Sequence, residues 1–179
     1  LAGEVDLGDS GVLGLHASKE VISLEGKMLT SGEIVVRADN RAVLSTTAQE
    51  LVATVTGAGK LSLTEADSLD IIANLSEVEF LRTINSGDVS FVADQSIDLR
   101  DVFLADGSFT AVVGGHLSSD VLVLGAAGKG VSLKASGAIT LAEVDAGEKG
   151  TVSLEASGDV NVSGKGITAK DLFVAAEGA

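Results

Sequence analysis

Val131-Ser-Leu133-Lys-Ala135-Ser-Gly-Ala-Ile139-Thr-Leu141 and Val152-Ser-Leu154-Glu-Ala156-Ser-Gly-Asp-Val160-Asn-Val162 carry one pattern twice: apolar, polar, apolar, polar, Ala, a short break, then apolar, polar, apolar. A third copy runs from Val89-Ser-Phe91-Val-Ala93 to Ile97-Asp-Leu99. Alternation with a period of two marks half-buried strands, and the Asp/Ser/Gly break marks a bend between two strands. A repeated small residue beside the bend fits a corner where the chain folds tightly over its own core.

Weaker copies extend the pattern in both directions. Leu13-Gly-Leu15-His-Ala17 leads to Val21, Ile34-Val-Val36-Arg-Ala38 to Ala42 and Leu44, and Phe109-Thr-Ala111-Val-Val113 to Leu117. Leu61-Ser-Leu63 reaches Ala66 one residue late, which reads as a bulge, and Leu172-Phe-Val174-Ala-Ala176 is a last partial copy. Starts recur at roughly 20 to 28 residues, a solenoid period too short for a propeller blade. A third apolar stretch follows in most copies, as in Val78-Glu-Phe80-Leu81, Val102-Phe-Leu104 and Val121-Leu-Val-Leu124.

The pattern predicts an all-β parallel β-helix, or β-solenoid, of about eight coils, a rod roughly 35 to 40 Å long at about 4.8 Å per coil. Equivalent side chains then stack in columns. One inward column is expected to hold Ile34, Leu61, Val89, Phe109, Val131 and Val152, and its neighbour Val36, Leu63, Phe91, Ala111, Leu133 and Leu154. A third is expected to hold Ala17, Ala38, Ala93, Ala135 and Ala156. The outward position before the corner holds His16, Arg37, Thr64, Val92, Val112, Lys134 and Glu155. Lys134 and Glu155 should be vertical neighbours. Val92 and Val112, with Val35 nearby, should form an apolar strip, which marks either a lateral contact or, in the reading preferred here, a covering loop.

Composition limits what such a rod can do. The chain has 179 residues, 45% of them hydrophobic, with 22 glycines, no proline and no cysteine, and shows no linker, so residues 1–179 read as a single domain. Absent proline suits strands whose N–H groups all serve the ladder. Glycines at Gly114-Gly115, Gly137 and Gly158 are expected to supply positive φ at the corners. Without cysteine there is neither a disulfide framework nor a thiolate metal site. A net charge of −14 with scattered Lys and Arg argues against nucleic acid and anionic membrane as partners. No apolar run is long enough to span a bilayer. The abrupt start at Leu1 and the plain tail Ala175-Ala-Glu-Gly-Ala suggest a segment of a longer rod, or a subunit that stacks through uncapped ends.

The V-x-L-x-A-[SD]-x-x-[VI]-x-L pattern at 131 to 141 and 152 to 162 resembles the repeats of filamentous haemagglutinin and related large bacterial adhesins secreted by the two-partner route. The resemblance covers about Gly11 to Ala176. It implies a right-handed β-helix, an extracellular or cell-surface location, and a structural and adhesive role toward a receptor or glycan on a host or neighbouring cell. It carries no catalytic residue to any position here.

The search for chemistry assigns no catalytic, cofactor-binding or metal residue. His16 and His116, the two histidines, read as solvated. Asp94, Asp98, Asp101 and Asp106 would suit a hard cation only if brought together. A glycan-active enzyme needs two carboxylates beside a sugar cleft, and the intervals 45 to 60 and 72 to 86, the second with Arg82, are where loops would build one. The chain has no Trp or Tyr to floor such a cleft, and Phe91 and Phe109 fall at inward positions. Asn74-Leu-Ser76 and Asn161-Val-Ser163 match the N-glycosylation pattern.

Overall fold

The structure is a computed structural model that describes residues 5–8, 10–23, 27–55, 60–66, 69–75, 77–83, 88–125 and 129–178. Its strands are β1 (Val5–Asp6), β2 (Val12–Ala17), β3 (Glu20–Ile22), β4 (Leu29–Ala38), β5 (Arg41–Val55) and β6 (Lys60–Glu65). They continue with β7 (Leu69–Asn74), β8 (Glu77–Thr83), β9 (Val89–Ala93), β10 (Ile97–Leu104), β11 (Phe109–Val113) and β12 (Leu117–Leu124). The last are β13 (Gly130–Ala135), β14 (Ile139–Asp145), β15 (Thr151–Ala156), β16 (Val160–Thr168) and β17 (Asp171–Ala176). Every pairing is parallel and joins a strand to its equivalent in the next coil, giving a β-solenoid of about eight turns. No helix among the described residues is long and apolar enough to cross a membrane.

The cross-section has three faces. The first is built from β2, the later halves of β4 and β5, and then β7, β9, β11, β13, β15 and β17. The other two share β3, the first half of β5, β6, β8, β10, β12, β14 and β16. In β10 the inward–outward alternation slips at Arg100-Asp101, both exposed, so Ile97 and Leu99 line one face while Val102 and Leu104 line the next. Hydrogen bonds between coils continue round the corners, as from Gly137 N to Gly115 O (2.9 Å) and from Gly158 N to Gly137 O (3.1 Å).

The core is a bundle of columns. On the first face, Leu69, Val89, Phe109, Val131, Val152 and Leu172 form one. Beside it run Leu13, Ile34, Leu51, Ile71, Phe91, Ala111, Leu133, Leu154 and Val174. The bulk of Phe91 sits against the small Ala111, and Phe109 fills the neighbouring column, so the two large rings share the interior at close packing. Burying each such side chain contributes about 1.5 to 3 kcal/mol, and in a solenoid that gain arises between neighbouring coils.

Three expectations are corrected. Ile34 stacks in line with Ile71 and Phe91, not Val89, and Val36 in line with Ala73 and Ala93; Ala38 pairs with Ala17 and Val55, two residues past the Ala93–Ala135–Ala156 column. The Ala residues of the two stretches are not equivalent: the path to the next face is equally long from Val36 to Ala42 and from Ala93 to Leu99, and Ala38 is a further inward residue before the bend. Leu61, Leu63 and the outward Thr64 belong to β6, on the other faces, where they pair with Ala42, Leu44 and Ser45. The first-face copies in that region are Leu51-Val-Ala53 and Leu69-Asp-Ile71, so the late Ala66 marks a different wall; the register irregularity at this stretch lies between Leu61 and Ser62 in the pairing with β8, where Glu79 of β8 is the extra residue. Finally, positive φ occurs at Gly8, Gly107, Gly147, Gly164 and Gly166 and not at Gly114, Gly115, Gly137 or Gly158. These corner glycines are small because the adjacent coil passes close by. A Cβ on Gly114 would collide with the Asp94 carbonyl, and one on Gly115 with Ser96.

Candidate functional site

Outward side chains also fall into columns, and each wall has its own chemistry. On the first face one column reads Gly14, Val35, Val52, Ile72, Val92, Val112, Lys134, Glu155 and Ala175. Five consecutive coils thus present a β-branched apolar side chain outward, and the strip ends at the Lys134–Glu155 ion pair, which is the expected vertical neighbour pair. Among the described residues no covering loop is found: Ile72, Val92 and Val112 are 49%, 40% and 44% exposed.

The second face carries a chain of ion pairs. Arg41 meets Glu79 at 3.1 Å, Lys60 bridges Glu79 (3.2 Å) and Glu77 (3.5 Å), and Arg100 joins Glu77 to Asp98 (3.5 Å). Burial by itself pushes the Glu79 carboxyl up. The Lys60 hydrogen bond, the charges of Arg41 and Lys60 and the Ser62 hydroxyl together outweigh it and hold that group below the ordinary carboxylate range. The hydrogen bond and charge of Glu77 raise the Arg100 guanidinium. Cations on this wall are therefore tied to carboxylates of their own or nearby coils.

At one corner the interior turns polar. Leu29, Thr46, Glu65 and Thr83 form one inward column, and Glu65 and Thr46 are fully buried. Glu65 accepts hydrogen bonds from the Thr46 hydroxyl (2.5 Å) and the Ala66 N–H (2.8 Å), and Thr83 Oγ1 accepts the Ala105 N–H (3.0 Å). This polar column is not legible in the repeat pattern. Glu65 sits in period with apolar residues, and only the two threonines stacked on either side mark the column as polar. With no path to solvent, its carboxylate serves the backbone of the bend.

The remaining candidates are not brought together. His16 is exposed on β2, and His116 is a corner residue whose Nδ1 accepts the Ala138 N–H at 2.8 Å. Asp98 pairs with Arg100 and accepts the Ser118 hydroxyl, Asp106 pairs with Lys129, and Asp101 stacks between Phe80 and Val121. The described residues contain no group of three or more potential metal ligands. Arg82 lies beside a groove of about 450 Å³ lined by Phe80, Phe103, Leu104 and Val123, with the two rings 6.3 Å apart. This groove holds no carboxylate pair. Asn161 is exposed on β16, whereas Ser76 of the other glycosylation pattern lies outside the described residues, as do 56–59 and 84–86 of the two candidate loop intervals.

Val162, Leu172 and Val174 continue inward columns yet are 46%, 51% and 52% exposed, with Phe173 outward at 61%. Comparison with protein-family models, with characterised proteins and with solved structures finds no match to this chain.

Proposed function

We propose that the chain is a non-catalytic structural segment of an extracellular bacterial rod, one that spaces and presents adhesive surfaces toward a receptor or glycan on another cell. One observation carries the reading: unbroken columns bury a continuous core from coil to coil, and the outer walls they support are flat and laddered. Such a wall suits display along a length better than it suits a reaction at a point. The ion-paired second face and the net charge of −14 disfavour a polyanionic partner. The resemblance of the 131–141 and 152–162 repeats to haemagglutinin-type adhesins supports the location and role.

The test is a panel of bacterial and host glycans, assayed both for retention on the immobilised chain and for released oligosaccharides. Binding without cleavage is the expected result. Depolymerised product that disappears on Glu50→Gln, Glu77→Gln or Glu79→Gln would overturn the reading in favour of a glycan-active enzyme.

A further inference from the structure

We infer that the first face binds a second copy of the chain, the two rods lying side by side and antiparallel. The surface is a side wall, so the contact is the same in a short rod and in a longer one. Its centre is the outward file Val35, Val52, Ile72, Val92 and Val112, in five consecutive coils. At about 4.8 Å per coil the file spans about 19 Å. The fold does not require apolar side chains there, because the next two coils carry Lys134 and Glu155 at the same position. A lone surface valine is ordinary, whereas an exposed file of five marks a contact.

The neighbouring outward file identifies the occupant. It reads Glu33, Glu50 and Asp70, then Ser90, Thr110 and Ser132. Carboxylates, which only accept hydrogen bonds, fill one half, and hydroxyls, which donate, fill the other. A twofold axis along the strands, passing between the coils of Ile72 and Val92, lays one half on the other. Glu33 then faces Ser132 of the second copy, Glu50 faces Thr110, and Asp70 faces Ser90. In the same register Ile72 faces Val92, Val52 faces Val112, and Lys134 arrives beside Val35 and Glu33. Moving the axis half a coil, onto Ile72, sets Asp70 against Asp70. Moving it onto Val92 exchanges the Val52–Val112 contact for Val52 against Lys134. A parallel pair sets Lys134 against Lys134 and Glu155 against Glu155. The antiparallel register is therefore the self-complementary one, and an isologous contact of this kind closes as a dimer.

A strip this narrow buries less than about 1,200 Å² in total, the range of transient association, so the dimer should form toward the top of a concentration series. Sedimentation velocity should show it for the chain, and Ile72→Asp should lose it. Ile72 is exposed, and an unchanged circular dichroism spectrum verifies that variant's fold. The chain has no cysteine, so single cysteines introduced on the strip report the register through disulfide formation under mild oxidation. Val52→Cys mixed with Val112→Cys should cross-link one to one, and adding Ile72→Asp to both should abolish the cross-link. Each cysteine variant alone should stay uncross-linked, because the two copies of residue 52 lie three coils, about 14 Å, apart, beyond disulfide reach. A wild type that stays single at every concentration, or Val52→Cys cross-linking with itself as a parallel pair requires, would overturn the inference. A single wild type whose retention on immobilised glycan is lost in Ile72→Asp would also overturn it, assigning the strip to a glycan and leaving the rod reading in place.

Discussion

Glu65 accepts the Thr46 hydroxyl across one coil, Oγ1 to Oε2 2.5 Å, with both side chains fully buried. A buried polar pair is costly to break and cheap to replace as a whole, because the lone survivor loses its partner without regaining water. Glu65→Leu should therefore destabilise by about 1 to 3 kcal/mol. Adding Thr46→Val should recover part of that loss. Urea melts of the two single variants and the double variant test this, and an additive double variant would show that the two side chains are not coupled.

Gly114 and Gly14 separate two reasons for glycine. A Cβ at Gly114 meets the Asp94 backbone of the coil below, which cannot move without disturbing the stack, whereas one at Gly14 meets nothing. Gly114→Ala should cost about 1 to 3 kcal/mol through overpacking. Gly14→Ala, outward on β2, should be neutral or slightly stabilising, since it only narrows the unfolded ensemble. Thermal melts should rank them in that order.

The Glu79 ion pairs give stability a pH dependence of known sign. Its folded-state value is depressed, so its contribution is present above the ordinary carboxylate range and is lost as pH falls through the depressed value. The difference in melting temperature between the chain and Glu79→Gln should stay constant from neutral pH down to the ordinary carboxylate range, then close below it. A gap that widens on acidification would refute the assignment. Added salt should narrow the gap at neutral pH, because the partners Arg41 and Glu79 are partly exposed.

Ser119 stands in an inward column between Leu99 and Leu141, and its buried hydroxyl has no hydrogen-bond partner among the described residues. Ser119→Ala removes that orphaned group and should stabilise by about 1 kcal/mol. A destabilised variant in a denaturant melt would mean that the hydroxyl is satisfied.

Period-two alternation from Val89 onward was enough to read the fold and the C-terminal columns, because inward strand positions must be apolar and outward ones need not be. It failed between Ile34 and Leu63 for a definite reason. There β5 runs unbroken from Arg41 to Val55 across corners, no Asp/Gly break separates its walls, and Leu61-Ser-Leu63 satisfies the same alternation on another face. Corner glycine was recognised but its cause was not, since the approach of an adjacent coil leaves no local signature. The full outward columns were not legible, because they exist only once the register of every coil is known.

Phe91 and Val92 test that register directly. Phe91 is 1% exposed in a column between Ile71 and Ala111, and its neighbour Val92 is 40% exposed between Ile72 and Val112. Phe91→Ala should cost about 3 to 5 kcal/mol, the range for emptying an aromatic site in a packed core. Val92→Lys should change stability by no more than about 0.5 kcal/mol, as surface substitutions do. A one-residue slip of β9 would exchange the two results, since it turns every side chain to the opposite face. Equilibrium denaturation of the two variants therefore decides which side of the wall each residue occupies, and with it whether the apolar strip from Val35 to Val112 faces solvent.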